Sequence, residues 1–125
     1  MTTDLAVFKS TMKANDDMSG DQFKFVNCTA ADTADTCDAA TEIPIGVLYN
    51  KPSAAGDAAE IALGPIVKVQ ADAAVVAGAM VGTSADGQAV TKSTADDHVF
   101  GVALTACSNA GEIIMVLVQS GKIHA

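Results

Sequence analysis

Ile113-Ile114-Met115-Val116-Leu117-Val118 is the stretch that decides the fold class. Six apolar residues stand in a row, four of them β-branched, with Gly111 before them and Gly121 after. Two branches at Cβ stiffen χ1 and suit a pleated strand better than a helix. Alternation places Ile113, Met115 and Leu117 on one face and Ile114, Val116 and Val118 on the other. Both faces are apolar, so the run predicts a strand covered on two sides, either in the domain core or at a subunit interface. The residues assigned to that role are Ile113, Ile114, Val116 and Val118.

Working outward, the same grammar recurs. Valine and isoleucine outnumber leucine and methionine two to one, and every valine and isoleucine except Val7 and Val26 lies from Ile43 onward. Apolar runs at Ile43–Tyr49, Glu60–Val69, Val99–Thr105 and Glu112–Gln119 are separated by Gly46, Gly56, Gly64, Gly78, Gly87, Gly101, Gly111 and Gly121. Turn signals at such steps predict a small β sandwich or barrel. Residues 71–81 read as strand or irregular chain, because Val75, Val76, Gly78 and Val81 spoil a helical pattern.

An internal repeat supports the hairpins. Ile45-Gly46-Val47 aligns with Phe100-Gly101-Val102, and at the same offset Ser53, Ala55 and Gly56 align with Ser108, Ala110 and Gly111, and Ile61 and Leu63 with Val116 and Val118. Each copy reads as strand, glycine-bearing loop, strand.

Residues 1–42 differ from the rest. They carry eight acids and three lysines, whereas residues 43–125 carry seven acids and four lysines. Residues 1–20 read as an N-terminal arm, with Leu5, Val7, Phe8 and Met12 as its apolar contacts; Leu5, Phe8 and Met12 also fit one helical turn. Residues 21–125 read as a single β-rich domain. Within it, 21–42 hold a short strand at Phe23–Val26 and a solvated acidic loop without core residues, and 43–125 form the β body.

Composition excludes much. The 125 residues carry a net charge of −8, and all seven bases are lysine. Without arginine there is no bidentate fork for phosphate or base edges, so no nucleic-acid partner is expected. The longest uncharged stretches, Ala73–Ala85 and His98–Gly111, fall short of the roughly 20 apolar residues that span a bilayer, so no membrane partner is expected. Met1-Thr2-Thr3-Asp4-Leu5 does not read as a secretory signal. Three cysteines, Cys28, Cys37 and Cys107, argue against a disulfide framework and for synthesis in a reducing cytoplasm.

Chemistry-bearing motifs are weak. His98 follows Asp96-Asp97, and Cys107 lies nine residues on; a cysteine hydrolase built from them is the least favoured reading. Cys28 and Cys37 lack zinc spacing, although oxidation could join them. Asp32, Asp35 and Asp38 recur every three residues, which is not the alternate spacing of a calcium loop. No catalytic residue, cofactor or metal is assigned, and no enzymatic activity is expected.

The body carries one resemblance. Ile45-Gly46-Val47-Leu48, Ala55-Gly56-Asp57, Gly64-Pro65-Ile66-Val67-Lys68-Val69, Ala77-Gly78, Gly101-Val102-Ala103, Ala110-Gly111-Glu112 and Val116-Leu117-Val118 resemble the capsid decoration, or cement, proteins of tailed phages. The likeness covers about residues 43–121. It implies a mainly β fold, a small β-barrel or β-tulip with an N-terminal extended arm, and a role similar to that of the lambda head decoration protein. It further implies a virion protein on the outer capsid surface that binds the major capsid protein at capsomer junctions, associates with itself as a homotrimer, and stabilises the expanded head. Another virion surface or fibre-type binding module is the alternative. On this reading the arm contacts coat protein, and deleting residues 1–14 should leave the body folded.

Overall fold

A computed structural model describes residues 7–94 and 97–122 of the chain. Among these the protein is all-β. Nine strands are present: β1 (Val7–Ala14), β2 (Phe25–Ala30), β3 (Thr33–Thr36), β4 (Gly46–Leu48), β5 (Ala58–Gln70), β6 (Met80–Thr83), β7 (Ala89–Thr91), β8 (His98–Ala103) and β9 (Ile113–Lys122).

The strands form one sheet in the order β1-β3-β2-β4-β5-β9-β8-β6-β7. It curls back on itself twice. β1 pairs antiparallel with β5, from Val7 opposite Pro65 to Lys13 opposite Ala58, closing a first ring. Ala71, just past the end of β5, bridges Ala89 of β7 and closes a second ring. β5 belongs to both. Residues 58–63 finish the first ring and residues 66–70 begin the second, where they pair with β9.

The two rings repeat each other pair for pair, at the offset that aligns Gly46 with Gly101. Val26 lies opposite Thr36 and Gly46; its counterpart Val81 lies opposite Thr91 and Gly101. Val47 faces Ala62 and Leu48 faces Ile61, as Val102 faces Leu117 and Ala103 faces Val116. The hairpin loops match in their caps. The Asn50 side-chain oxygen accepts from the Glu60 amide at 2.9 Å, and the Thr105 hydroxyl accepts from the Met115 amide at 3.0 Å. The first strands match at an offset longer by two: the Met18 amide donates to Pro52 and the Val75 amide to Cys107. That difference is absorbed between Met18 and Phe23.

Left-handed backbone positions pair off as well. Gly56 (φ 86°) corresponds to Gly111 (φ 90°), Phe23 (φ 67°) to Gly78 (φ 90°), and Asp32 (φ 54°) to Gly87 (φ 76°). At two of the three pairs one ring uses glycine and the other accepts a side chain in a region that disfavours it.

Cores follow the same rule. The first ring buries Ala14, Met18, Val26, Ala34, Leu48, Ala59 and Ile61. Their counterparts Ala71, Val75, Val81, Ala89, Ala103, Ile114 and Val116 are all in the second core, in the same order. Small residues fit because each ring is narrow. The second cluster is larger, since it also contains Phe25, Cys37, Val47, Ala62 and Phe100, where the two rings meet.

The expected hairpins and the mainly β class are therefore present. Three other expectations are corrected. The Leu5, Phe8, Met12 spacing does not make a helical turn in the described residues; residues 7–14 are strand β1, and β1 is built into the first ring. The acidic loop before residue 42 is not without core residues, because it contains β3 and buries Ala34 and Cys37 completely or nearly so. Residue 42 marks a change in composition only; the structural repeat turns over inside β5.

Candidate functional site

Three surfaces qualify as sites, and each is built by the sheet. The first surrounds β1. Leu5 lies outside the described residues. Val7 pairs with Pro65 along the edge of β5. Phe8 pairs with Gly64 and is 69% exposed, the highest exposure of any phenylalanine described. Met12, two alternations on, packs instead against the first core. Thus of the four residues expected in an arm, Phe8 is exposed and Met12 packs inward; the register shifts between Phe8 and Lys9, where β5 carries Leu63 as an extra residue. Lys9 is fixed beside Phe8 by a 3.1 Å ion pair with Glu60 and lies 5.6 Å from the Tyr49 ring centre. Both partners are exposed, so the pair stabilises by under about 1 kcal/mol. Residues 15–20 are tied down too, with Met18 fully buried.

Acid is concentrated on the same ring. Asp35, on β3, has its carboxyl raised above the ordinary carboxylate range, first by burial and then by repulsion from Asp16. Asp38 and Asp21 add to the repulsion, while a hydrogen bond from the Thr36 amide opposes it. Asp17 is lowered by hydrogen bonds from Ser19.

The second surface is a small hollow of about 230 Å³ at the meeting of the rings, lined by Ile43, Pro44, His98, Val99, Phe100 and Gly121. It contains His98 but not Cys107. β8 separates the two: His98 begins the strand and Cys107 lies beyond its far end, with roughly 16 Å of strand between. The Cys107 thiol donates to the Ala73 carbonyl at 3.4 Å. The hydrolase constellation is not assembled. Nor do Cys28 and Cys37 join; both are free thiols, one exposed and one buried. Among the described residues no three metal-ligating side chains come together.

The third surface is an apolar row across the second ring. Met80, Val102 and Leu117 are cross-strand neighbours on β6, β8 and β9, and Ile66 of β5 completes the row. Met80 is 47% exposed and the others are half-buried. The expected two-sided strand resolves here. Ile114 and Val116 are fully buried, Val118 packs partly against the core, and Ile113 is 42% exposed. Met115 and Leu117 stay half-covered. This row was invisible in the sequence because its members come from well-separated segments and only sheet register aligns them.

With the fold and these surfaces defined, comparison with known proteins becomes informative. Residues 6–119 match the family described as phage cement protein. The chain belongs to that family. It is therefore grouped with structural proteins of phage virions, in agreement with the resemblance carried by residues 43–121, and the match extends through β1, β2 and β3 as well. No curated relative matches. Among solved structures, the chain is similar to the N base of head fiber gp8.5 of bacteriophage phi29, with a TM-score of 0.71 and 19% identity over 96% of this chain and 100% of that one. That likeness is one of fold.

Proposed function

We propose that this cement-family protein binds the outside of a phage capsid at capsomer junctions, through the major capsid protein, and stabilises the expanded head. The observation that carries the reading is the family match across residues 6–119. Physically, a protein that touches several coat subunits at once binds only the assembled shell with full strength, and so favours it by mass action. The coat contact is assigned to Leu5, Val7 and Phe8, of which Phe8 is exposed on β1. The acids of the first ring then call for a lysine- or arginine-bearing coat surface, and binding that weakens with salt. Self-association, as a homotrimer, multiplies the contacts.

A fibre-type role is the second reading, favoured by the fold shared with a head-fiber base. The two differ in where the load lies: a cement protein holds neighbouring capsomers, whereas a fibre base carries something outward.

The structure changes which variant tests this. Removing residues 1–14 would take β1 out of the first ring, together with buried Ala14, so the loss of binding would be uninformative. Phe8→Asp alters an exposed side chain only. The purified protein is expected to co-sediment with expanded, DNA-filled heads, and heads carrying it should resist heat and chelator longer than bare heads. Phe8→Asp should lower occupancy at least tenfold with unchanged circular dichroism. Equal occupancy by the variant would remove the β1 surface from the contact; no co-sedimentation of the wild type would remove the capsid reading.

A further inference from the structure

The repeat makes a specific demand on a second copy of the chain. In the first ring the row Phe25, Val47, Ala62 is fully buried, and what covers it is the second ring. Phe100 stacks on Phe25 with ring centres 4.8 Å apart, and the Phe25 amide donates to Gly87 at 2.7 Å. The equivalent row in the second ring is Met80, Val102, Leu117, and it is only partly covered, with Met80 47% exposed and Val102 and Leu117 half-buried. Conversely, the surface that does the covering has its own equivalent in the first ring: Ile45 stands for Phe100 and Leu63 for Val118. These are 36% and 40% exposed. Each chain thus satisfies one contact internally and leaves its two halves unsatisfied at opposite ends.

We infer that a second copy docks head to tail, its Ile45 and Leu63 on the Met80, Val102, Leu117 row. The surfaces are different patches, so the interface is heterologous and the chains close into a ring or extend as a file. A self-complementary twofold contact is not what the repeat supplies, because Phe25 and its equivalent Met80 differ in whether they are covered. The contact is weaker than the internal one. Asp32 stands where Gly87 meets Phe25, Thr36 and Cys37, and it brings a side chain and a charge to a seam closed internally by bare backbone. The inference rests on the preceding reading only in the expectation that copies associate; its argument is the repeat itself.

Native mass spectrometry and sedimentation velocity of the full chain across a concentration series decide it. Wild type is expected to form oligomers. Met80→Lys and Leu63→Lys should each be monomeric with unchanged circular dichroism. Mixed one to one, they should form a dimer that goes no further, since the first keeps a sound Ile45–Leu63 surface and the second a sound Met80 row. If a lysine variant fails to fold, Met80→Ala and Leu63→Ala should weaken assembly at least tenfold. A wild type that stays monomeric throughout, an oligomer indifferent to both substitutions, or a mixture that remains monomeric would overturn the proposal. Failure of co-sedimentation with heads would leave it standing, and its own failure would leave capsid binding standing.

Discussion

The two rings have one backbone plan and two surface chemistries. Phe25, Val47 and Ala62 lie on β2, β4 and β5 in the same registers as Met80, Val102 and Leu117 on the equivalent strands β6, β8 and β9. One set is fully buried and the other is partly exposed. The inner faces, by contrast, are apolar and buried in both rings: Ala14, Val26 and Ala34 recur unchanged as Ala71, Val81 and Ala89, and where Leu48 gives way to the smaller Ala103, Ala59 gives way to the larger Ile114. Ring interiors are constrained by close packing, where a single methylene is felt, whereas an outer face is constrained only by what covers it.

This contrast is easiest to break at its aromatic member. Phe25→Ala should destabilise the protein by about 3–5 kcal/mol, as for a large buried side chain, whereas Met80→Ala should cost the free protein only about 0.5 kcal/mol. Chemical denaturation of both variants checks the difference; equal losses would mean that the second row is not open. A next test asks whether the backbone plan is as strict as the registers imply. A methyl added at Gly46 would collide with the Ala62 carbonyl and Ile61, and one added at Gly101 with the Leu117 carbonyl and Val116. Gly46→Ala and Gly101→Ala should therefore each cost about 2–3 kcal/mol, and by similar amounts. A tolerant ring would show as an unequal pair.

The smallest effect distinguishes Cys37 from its counterpart Lys92. Burial, reinforced by Glu42, pushes the Cys37 thiol up to about 12 from 9.0. The folded protein holds this proton after the unfolded chain has released it. That stabilisation is complete below pH 9 and is lost as pH rises from 9 towards 12, by roughly 1 kcal/mol per pH unit. Cys37→Val should flatten the alkaline limb of a stability–pH curve measured against wild type. In the native protein at pH 8, Cys28 should be alkylated and Cys37 spared.

Much of this organisation was legible from residues, and the missing parts have physical causes. Hairpins β4–β5 and β8–β9 were marked by glycines that loop geometry and close strand approach require. β3 was not: Thr33-Ala34-Asp35-Thr36 has one apolar residue, and pairing with β1 and β2 rather than strand propensity makes it a strand. β1 was obscured because Leu5, Phe8 and Met12 mimic a helical spacing, while in the strand Phe8 is exposed and Met12 packs against the first core. The repeat showed itself between Ile45 and Leu63 and their counterparts, and no further. Nearer the N-terminus its offset changes by two, and equivalent conformations are carried by unlike residues, as with Phe23 and Gly78. Of the candidate surfaces, Phe8 was named from the sequence, and the structure leaves it exposed. The Met80 row was not, since a sheet assembles it from three separate segments.

β5 has a mechanical meaning. Thirteen residues run without interruption from one ring into the next, so tension between the rings travels through covalent backbone. Side-chain packing at the junction is not the weak link. Under load, the protein would yield by stripping the hydrogen-bonded ladders on either flank of β5, one strand shearing past another, and would do so as a unit.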